Sequence, residues 1–436
     1  MKLVKLSLVA ALAVGSMSVL EAKPLEEAIK NVDVSGALRY RFDQASWTHD
    51  FDRNNNIGGY NLDSNTPHRV RAFVTTAIDA GDGFKVVGQL MYNNDRSGGW
   101  ARGAFNAADT AKQADNGLTT TKQEIVLKQA YLQYDLADAG VSVLFGRQQL
   151  GTIWTADFTG MAAKVLITPT DGLTIAAFGV DSFEGNTGDG DAAKIDSTGA
   201  YNKNMYGGAV LANFAGLDAQ VWGAYWDKVA TLYAVNLKYA LALGGGNNAG
   251  VKVTYLGNSV DSDFKKANDV DNGNLVDGRL FANFAGLDAR VGGIFYGSKD
   301  KLNVNTLEDI SGPDLSIGRE MMYVKGSRLV SSEGQNTFGY VGVGYTLPAN
   351  VRIGIQGVFG QNTTANGAKG GTDDLKDTRY EAVGEISWAV NKGLSFETFY
   401  SYLGSNAKDS VNNGDGTYSD RKGVKHTVRF QALYKF

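Results

Sequence analysis

Between Val32 and Phe42 the even positions are mostly apolar (Val32, Val34, Leu38, Tyr40, Phe42) and the odd ones small or charged (Asp33, Ser35, Ala37, Arg39, Arg41). Near the last residue, Val428, Phe430, Ala432, Tyr434 and Phe436 face one way. Thr427, Arg429, Gln431 and Lys435 face the other, with Leu433 the one exception on the polar side. A period of two marks a strand with one apolar and one wet face. The same reading predicts strands near 67–79, 83–93, 122–135, 140–149, 160–168, 172–181, 203–213, 217–227, 230–240 and 249–258. Others fall near 274–284, 287–298, 336–346, 350–361, 378–390 and 393–404. With 32–43 and 423–436 the count is about 18, each near the ~9–11 residues of a tilted membrane strand.

The links between these strands alternate in length. Short ones sit at 80–82, 136–139, 169–171, 214–216, 285–286, 347–349 and 391–392, and longer ones at 44–66, 94–121, 182–202, 259–273, 299–335, 362–377 and 405–422. That rhythm is expected of a barrel with tight turns at one end and long loops at the other. An apolar piece at 321–324 would make a nineteenth strand; keeping it inside one long loop, 299–335, preserves the rhythm and brings both termini to the short-turn end. Two links break it: 228–229 is too short for its side and 241–248 too long. Loops rich in Asn, Asp, Gly, Ser and Thr, such as Asn54-Asn55-Asn56, cannot bury a core of their own and belong in water. One stretch, Ala212 to Ala219, recurs unchanged at 282–289, and both copies read as reused hairpin turns.

Composition then narrows the class. Residues 1–22 read as a cleaved signal peptide, with Lys2 and Lys5 before an apolar run from Leu6 to Leu20 and a small residue, Ala22, at the cut. A retained N-terminal anchor is the competing reading of that segment. Residues 23–436 then form one domain. No later apolar run approaches the ~18–20 residues of a spanning helix, so a secreted chain either stays soluble or crosses a membrane as a closed barrel. A soluble sandwich or propeller also alternates. The signal peptide, the strand count and the terminal Phe436 favour the all-β transmembrane antiparallel barrel with a wet interior. Of the 42 Lys+Arg and 46 Asp+Glu, removal of residues 1–22 leaves 40 and 45, a net charge of −5 with no basic footprint for nucleic acid. The 436 residues include 3 histidines and no cysteine, and no nucleophile elbow or phosphate-binding Gly-Lys-Ser/Thr loop is present, so neither a thiolate zinc site nor an enzyme is expected.

The best candidate for function is Gly151-Thr152-Ile153-Trp154-Thr155-Ala156-Asp157-Phe158, which is short and apolar for a loop on the long-link side. Folded inward, it would bury Ile153 and Trp154 on the wall and set Asp157 against Arg147, Lys164 or other wall cations across a narrowed pore. A packed surface turn would have the same composition. Arg39, Arg41, Arg147, Asp157, Lys164, Arg352, Glu381, Glu385 and Arg429 are the expected pore-lining charges. No cofactor is expected, although the acidic pairs Asp189/Asp191, Asp261/Asp263 and Asp269/Asp271 could hold loop calcium.

Extended stretches also match a known family: Pro24 to Lys30, Val32 to Gly36, Leu38 to Arg41, Gln148 to Leu150 with Ile153 to Thr155, and Asp171 to Thr174. Ala224 to Asp227, Tyr255 to Ser259, Gly326 to Leu329, Phe338 to Val341 and Gln431 to Phe436 continue the match. Through them the chain resembles the major outer membrane porins of Campylobacter and related bacteria, distant relatives of the OprD-type channels. The resemblance implies an 18-stranded barrel in the outer membrane of a Gram-negative bacterium. It further implies a homotrimer, passive cation-preferring diffusion of small hydrophilic solutes, and a constriction at or near Gln148–Phe158. Lipopolysaccharide and the outer-membrane assembly machinery are the expected partners, the latter through an assembly signal at Phe430, Tyr434 and Phe436. A substrate-specific channel, and a barrel serving mainly as a structural or adhesive surface, are the alternatives.

Overall fold

A chain with strands of this spacing and no long apolar helix has one way to pair every strand edge, which is to close on itself. The computed structural model, described over residues 32–47, 68–93, 125–184, 199–299, 301–308, 314–324, 326–330, 332–365, 373–414 and 417–436, does so. Residues 1–22 and the Asp189/Asp191 pair lie outside the described residues. In chain order the first strands are β1 (Val32–Trp47), β2 (His68–Gly81), β3 (Phe84–Asn93), β4 (Ile125–Leu136), β5 (Val141–Gln149), β6 (Thr159–Thr170) and β7 (Leu173–Phe183). Then come β8 (Met205–Phe214), β9 (Leu217–Trp226), β10 (Ala230–Gly244), β11 (Asn247–Val260), β12 (Val270–Asp271), β13 (Asn274–Phe284), β14 (Leu287–Tyr296), β15 (Leu302–Asn303) and β16 (Ser332–Glu333). The last are β17 (Gln335–Thr346), β18 (Val351–Ala365), β19 (Asp374–Ala389), β20 (Leu394–Asn412) and β21 (Tyr418–Lys435). The dipeptide strands β12, β15 and β16 form a separate three-stranded patch that ties loop roots together; the other 18 form one antiparallel sheet.

Closure is made by β1, which pairs with β2 on one side and β21 on the other, with Ala37 opposite Lys435. The seam ends in a reciprocal pair, Gly36 N–H to the Phe436 carbonyl at 3.0 Å and Phe436 N–H to the Gly36 carbonyl at 3.1 Å. Outward positions form an apolar belt that includes Leu38, Leu132, Phe145, Val221, Val291, Val341, Ile355, Phe359, Val428 and Phe430.

Both breaks in the link rhythm have a local cause. The long link at 241–248 is absorbed because β10 runs to Gly244 and β11 starts at Asn247, leaving a tight glycine turn with Gly244, Gly245 and Gly246 all at positive φ. On the loop side, β9 and β10 are joined by three residues only, with Lys228 in the left-handed region. The repeated segment gives the same turn twice: Ala215 and Gly216, then Ala285 and Gly286, all take positive φ. The 321–324 piece is no strand; Met321–Tyr323 is a single 3₁₀ turn in the loop between β14 and β17.

The interior departs from a uniformly wet lumen. On β8, β9 and β10 the inward side chains include Met205, Ala209, Trp222, Ala224, Trp226, Leu232 and Ala234, all buried. They are covered by loop segments, and the buried apolar cluster of the molecule lies there, inside the barrel.

The seam tolerates no side chain at its narrowest point, since a Cβ on Gly36 would fall 2.5 Å from the Phe73 carbonyl oxygen and 2.5 Å from the Phe436 ring. Gly36→Val should therefore destabilise the barrel by about 1–3 kcal/mol, as overpacking does. The check is the urea midpoint of the folded barrel, followed by heat-modified gel mobility. An unaltered midpoint would mean that the seam is not limiting.

Candidate functional site

Two loops fold into the barrel and meet each other. The first, residues 150–158, is held at its base by Leu150 N–H to the Phe158 carbonyl at 2.8 Å, and turns at Gly151, which has φ 62°. Thr152 N–H to Thr155 Oγ1 at 3.0 Å and Thr155 N–H to the Thr152 carbonyl at 3.1 Å lock its tip. Ile153 and Trp154 are buried, with Trp154 edge-on to Trp222 of β9 at 6.2 Å. Phe158 packs on Phe183 and Tyr201. This apolar tip therefore sits on the apolar part of the wall.

The second loop connects β14 to β17. Leu307, Leu315, Ile317, Met321, Met322, Val324, Leu329 and Val330 are all buried. Leu307 N–H donates to the Trp154 carbonyl at 2.9 Å, and Tyr201 Oη donates to the Leu307 carbonyl at 3.2 Å, so the two loops form one body. The wall grips this loop through Glu381 of β19, which is 2 % exposed. Its carboxylate accepts from the backbone N–H groups of Arg319, Glu320 and Met321, each at 2.9 Å, and from Ser401 Oγ at 2.7 Å. A buried carboxylate is tolerable only when its lone pairs are filled in this way. Gly318 makes the approach possible: it has φ 65°, and a Cβ there would lie 2.0 Å from Glu381 Oε2. Flanking ion pairs complete the grip, with Arg319 on Glu385 at 2.7 Å and Lys425 on Glu320 at 2.5 Å.

The lumen charges fall into two groups. On β21, β1 and β2, Arg39 stands opposite Arg71 and Arg41 opposite Arg69. Arg41 donates to Gln431 Oε1 at 3.0 and 2.8 Å, whereas Asp43 is shared by Arg429 and, at 3.7 Å, by Arg69. Asp157 projects from the first loop to Arg71 at 3.2 Å and meets the Glu308 side chain of the second loop. Glu308 also accepts the Ala156 N–H. Partial burial works to raise the Asp157 carboxyl, but Lys128 and Arg71 outweigh it and hold the group below the usual carboxylate value. The second group lies further round the wall, on β14, β18 and β19, where Arg352 makes a fork to Asp288 at 2.7 and 2.6 Å and reaches Glu385 at 2.6 Å.

Of the nine charges singled out in the sequence, Arg39, Arg41, Asp157, Glu381, Glu385, Arg352 and Arg429 sit in these two groups. Asp157 pairs with a cation other than Arg147 or Lys164. Arg147 turns to the Lys128 carbonyl at 3.1 Å and Glu184 at 3.9 Å, and Lys164 donates to the Gln149 carbonyl. Both are drawn to nearer acceptors on their own hairpin. The loop acids are likewise engaged: Asp261 caps the short helix Ser262–Asn268, Asp271 pairs with Lys265 at 2.9 Å, and Asp269 with Lys301. Among the described residues no group of three metal-ligating side chains converges. Sequence reading passed over Arg71, Glu308, Arg319 and the inward fold of the second loop, although its apolar Leu315, Ile317, Met321 and Met322 carried the signal already used for 151–158. Phe430, Tyr434 and Phe436 all lie on the outer face, exposed.

Three comparisons place this architecture. The family model described as the Campylobacter major outer membrane protein matches residues 1–436. The fold is similar to that of Pseudomonas aeruginosa OpdL (13% identity, 93% of this chain and 99% of that one, TM-score 0.62). It is also similar to P. aeruginosa OccK9 (12%, 94% and 100%, 0.63) and Acinetobacter baumannii OccAB3 (10%, 93% and 100%, 0.59). No curated protein matches the chain.

Removing the grip on the second loop should widen the pore. Glu381→Gln replaces one accepting oxygen with an N–H₂ that faces backbone donors, at a cost of about 1–3 kcal/mol locally. Single-channel conductance of the variant is expected to rise and become noisier. Conductance equal to wild type would show that the apolar contacts alone hold the loop.

Proposed function

Because the chain belongs to the Campylobacter major outer membrane protein family and is an outer-membrane porin, we propose that it passes small hydrophilic ions and solutes by passive diffusion, with a preference for cations. The observation that carries this reading is the meeting of the two inward loops, which sets Asp157 and Glu308 beside each other and brings Asp157 to 3.2 Å from Arg71 in the arginine row of β1 and β2. Opposed charges at a constriction create a transverse field, and an acidic side chain that stays ionised attracts cations into it. Three copies associate through lipid-facing strand surfaces, and the terminal strand with Phe430, Tyr434 and Phe436 is presented to the assembly machinery.

A second reading has its own support. The rungs Arg39–Arg71 and Arg41–Arg69, continued by Arg429, are an ordered basic series along one wall. Such a series suits a channel that passes anionic solutes specifically. Saturable uptake of a carboxylate solute would favour it, whereas flux linear in concentration favours diffusion.

Asp157 provides the direct test. Asp157→Asn should move the zero-current potential in a salt gradient toward the non-selective value. Because the Asp157 carboxyl is held below its ordinary value, cation preference should persist from neutral pH down past pH ~4 and decline only below that, as the group protonates. Planar-bilayer recording gives both readings, together with the triplet steps expected of a trimer. An unchanged reversal potential in the variant would remove Asp157 from the selectivity mechanism.

A further inference from the structure

The outer face of β19, β20 and β21 carries two aromatic levels. The lower one comprises Trp388 and Phe396, 5.9 Å apart, with Tyr434 and Phe436 at 6.1 Å. The upper one comprises Tyr380, Tyr402 and His426, with Tyr380–Tyr402 at 6.1 Å and Tyr402–His426 at 5.2 Å. Eight residues separate Trp388 from Tyr380, and eight separate Tyr434 from His426. At ~3.3 Å per residue and a tilt of about 40°, that is roughly 20 Å, close to the ~25 Å apolar band of outer-membrane barrels. The two levels therefore mark the two edges of the hydrocarbon layer, and what projects outward just above the upper one meets outer-leaflet head groups.

Three lysines do so. Inward positions on these strands are fixed by the buried Asp377, Arg379, Ser405, Ala407, Lys425 and Thr427. The alternate residues Lys376 and Lys422, and Lys408 beside Ala407, point out and are exposed. Lys376 and Lys422 each lie four residues above the upper aromatics on their strands, at Tyr380 and His426. The strands are neighbours: Asp377 pairs with Ala407, so Lys376 and Lys408 lie one step further along both chains, and Lys422 pairs with Asn406. Among the described residues none of the three lysines has an ion pair; Asp374 is paired with Lys299, and Asp420, next after the Ala407–Arg421 pair, accepts the Asp409 N–H and keeps its charge, so the three lysines outnumber the acids left beside them. Like charges side by side on a sheet are destabilising unless something anionic lies between them. A subunit interface is a poor explanation, because lysine is depleted from such surfaces.

We propose that Lys376, Lys408 and Lys422 form a binding site for the phosphate groups of outer-leaflet lipopolysaccharide, with the acyl chains lying on the aromatic belt below. Lysine suits this role as a flexible point charge that can follow a mobile phosphate. The proposal rests on the outer-membrane location and is independent of how the pore selects solutes.

The test is binding of purified lipopolysaccharide to the full-length folded protein in detergent, comparing wild type with the triple variant K376Q/K408Q/K422Q. Intact and dephosphorylated lipopolysaccharide are used in parallel. Wild type should bind the intact lipid roughly tenfold or more tightly than the variant does, with the difference shrinking in high salt. Dephosphorylated lipid should bind both proteins alike. Replacement by three arginines should restore binding, and heat-modified mobility with unaltered conductance confirms that each variant is folded. Equal binding by wild type and variant, or undiminished binding of dephosphorylated lipid to wild type, overturns the proposal. A change of oligomeric state with lipid binding intact would also overturn it and assign the surface to contacts between copies.

Discussion

Every backbone N–H and C=O that crosses hydrocarbon needs a partner, and none can come from the solvent. Among the described residues no helix is long and apolar enough to cross a membrane, so the strands must form a ring, and the ring is complete here only because β1 can pair with both β2 and β21. Closure then dictates the rest. It gives each strand one lipid face and one interior face, so the charged positions of an alternating strand have nowhere to go but inward. Arg41, Arg352, Glu381 and Arg429 are lumen residues for that reason before any functional reason applies. It also leaves the loops as the only parts free to shape the passage.

What the loops do depends on the interior wall they find. On β8 to β10 the wall is apolar, and the 150–158 tip with Trp154, Tyr201 and Leu307 covers it. On β19 and β20 it is carboxylate-rich, and the second loop answers with three backbone N–H groups and Arg319. The contribution of such buried ion pairs to stability is small or negative relative to apolar packing. Their effect is positional: Glu381 fixes where the loop turns against the wall.

Much of this was legible in the sequence because period-two alternation is a direct print of the lipid/lumen partition. Strand number came from residue pattern, the all-β barrel from that pattern with the signal peptide and the terminal Phe436, and the inward fold of 150–158 was one of two readings the residues allowed. Strand ends were less legible: β20 runs to Asn412 and β21 begins at Tyr418, well outside the predicted 393–404 and 423–436, because the barrel wall continues into water where alternation no longer has to be apolar. The covered interior patch was harder still. Trp222 and Trp226 face in while Val221 and Tyr225 face out, so both faces of β9 are apolar and the pattern falls silent. Partners across the lumen, such as Arg71 for Asp157, are separated by 86 residues, and no local rule joins them.

The charge balance of the lumen follows from these pairings. The basic wall holds Arg39, Arg41, Arg69, Arg71 and Arg429, yet Asp43 and Asp157 are set directly into it, and Lys128 faces Glu184 at 2.8 Å. The carboxylate wall is in turn met by Arg319, Arg352 and Lys425. Five arginines against Asp43 and Asp157 leave the basic wall net positive, whereas the carboxylate wall is closer to balance, so the field is uneven around the lumen. Charges that line a passage and charges on loops folded into it both act on the ions that enter. A substitution in an inward loop can therefore act on the passage while the barrel, whose alternation is under the membrane's constraint, stays as it is.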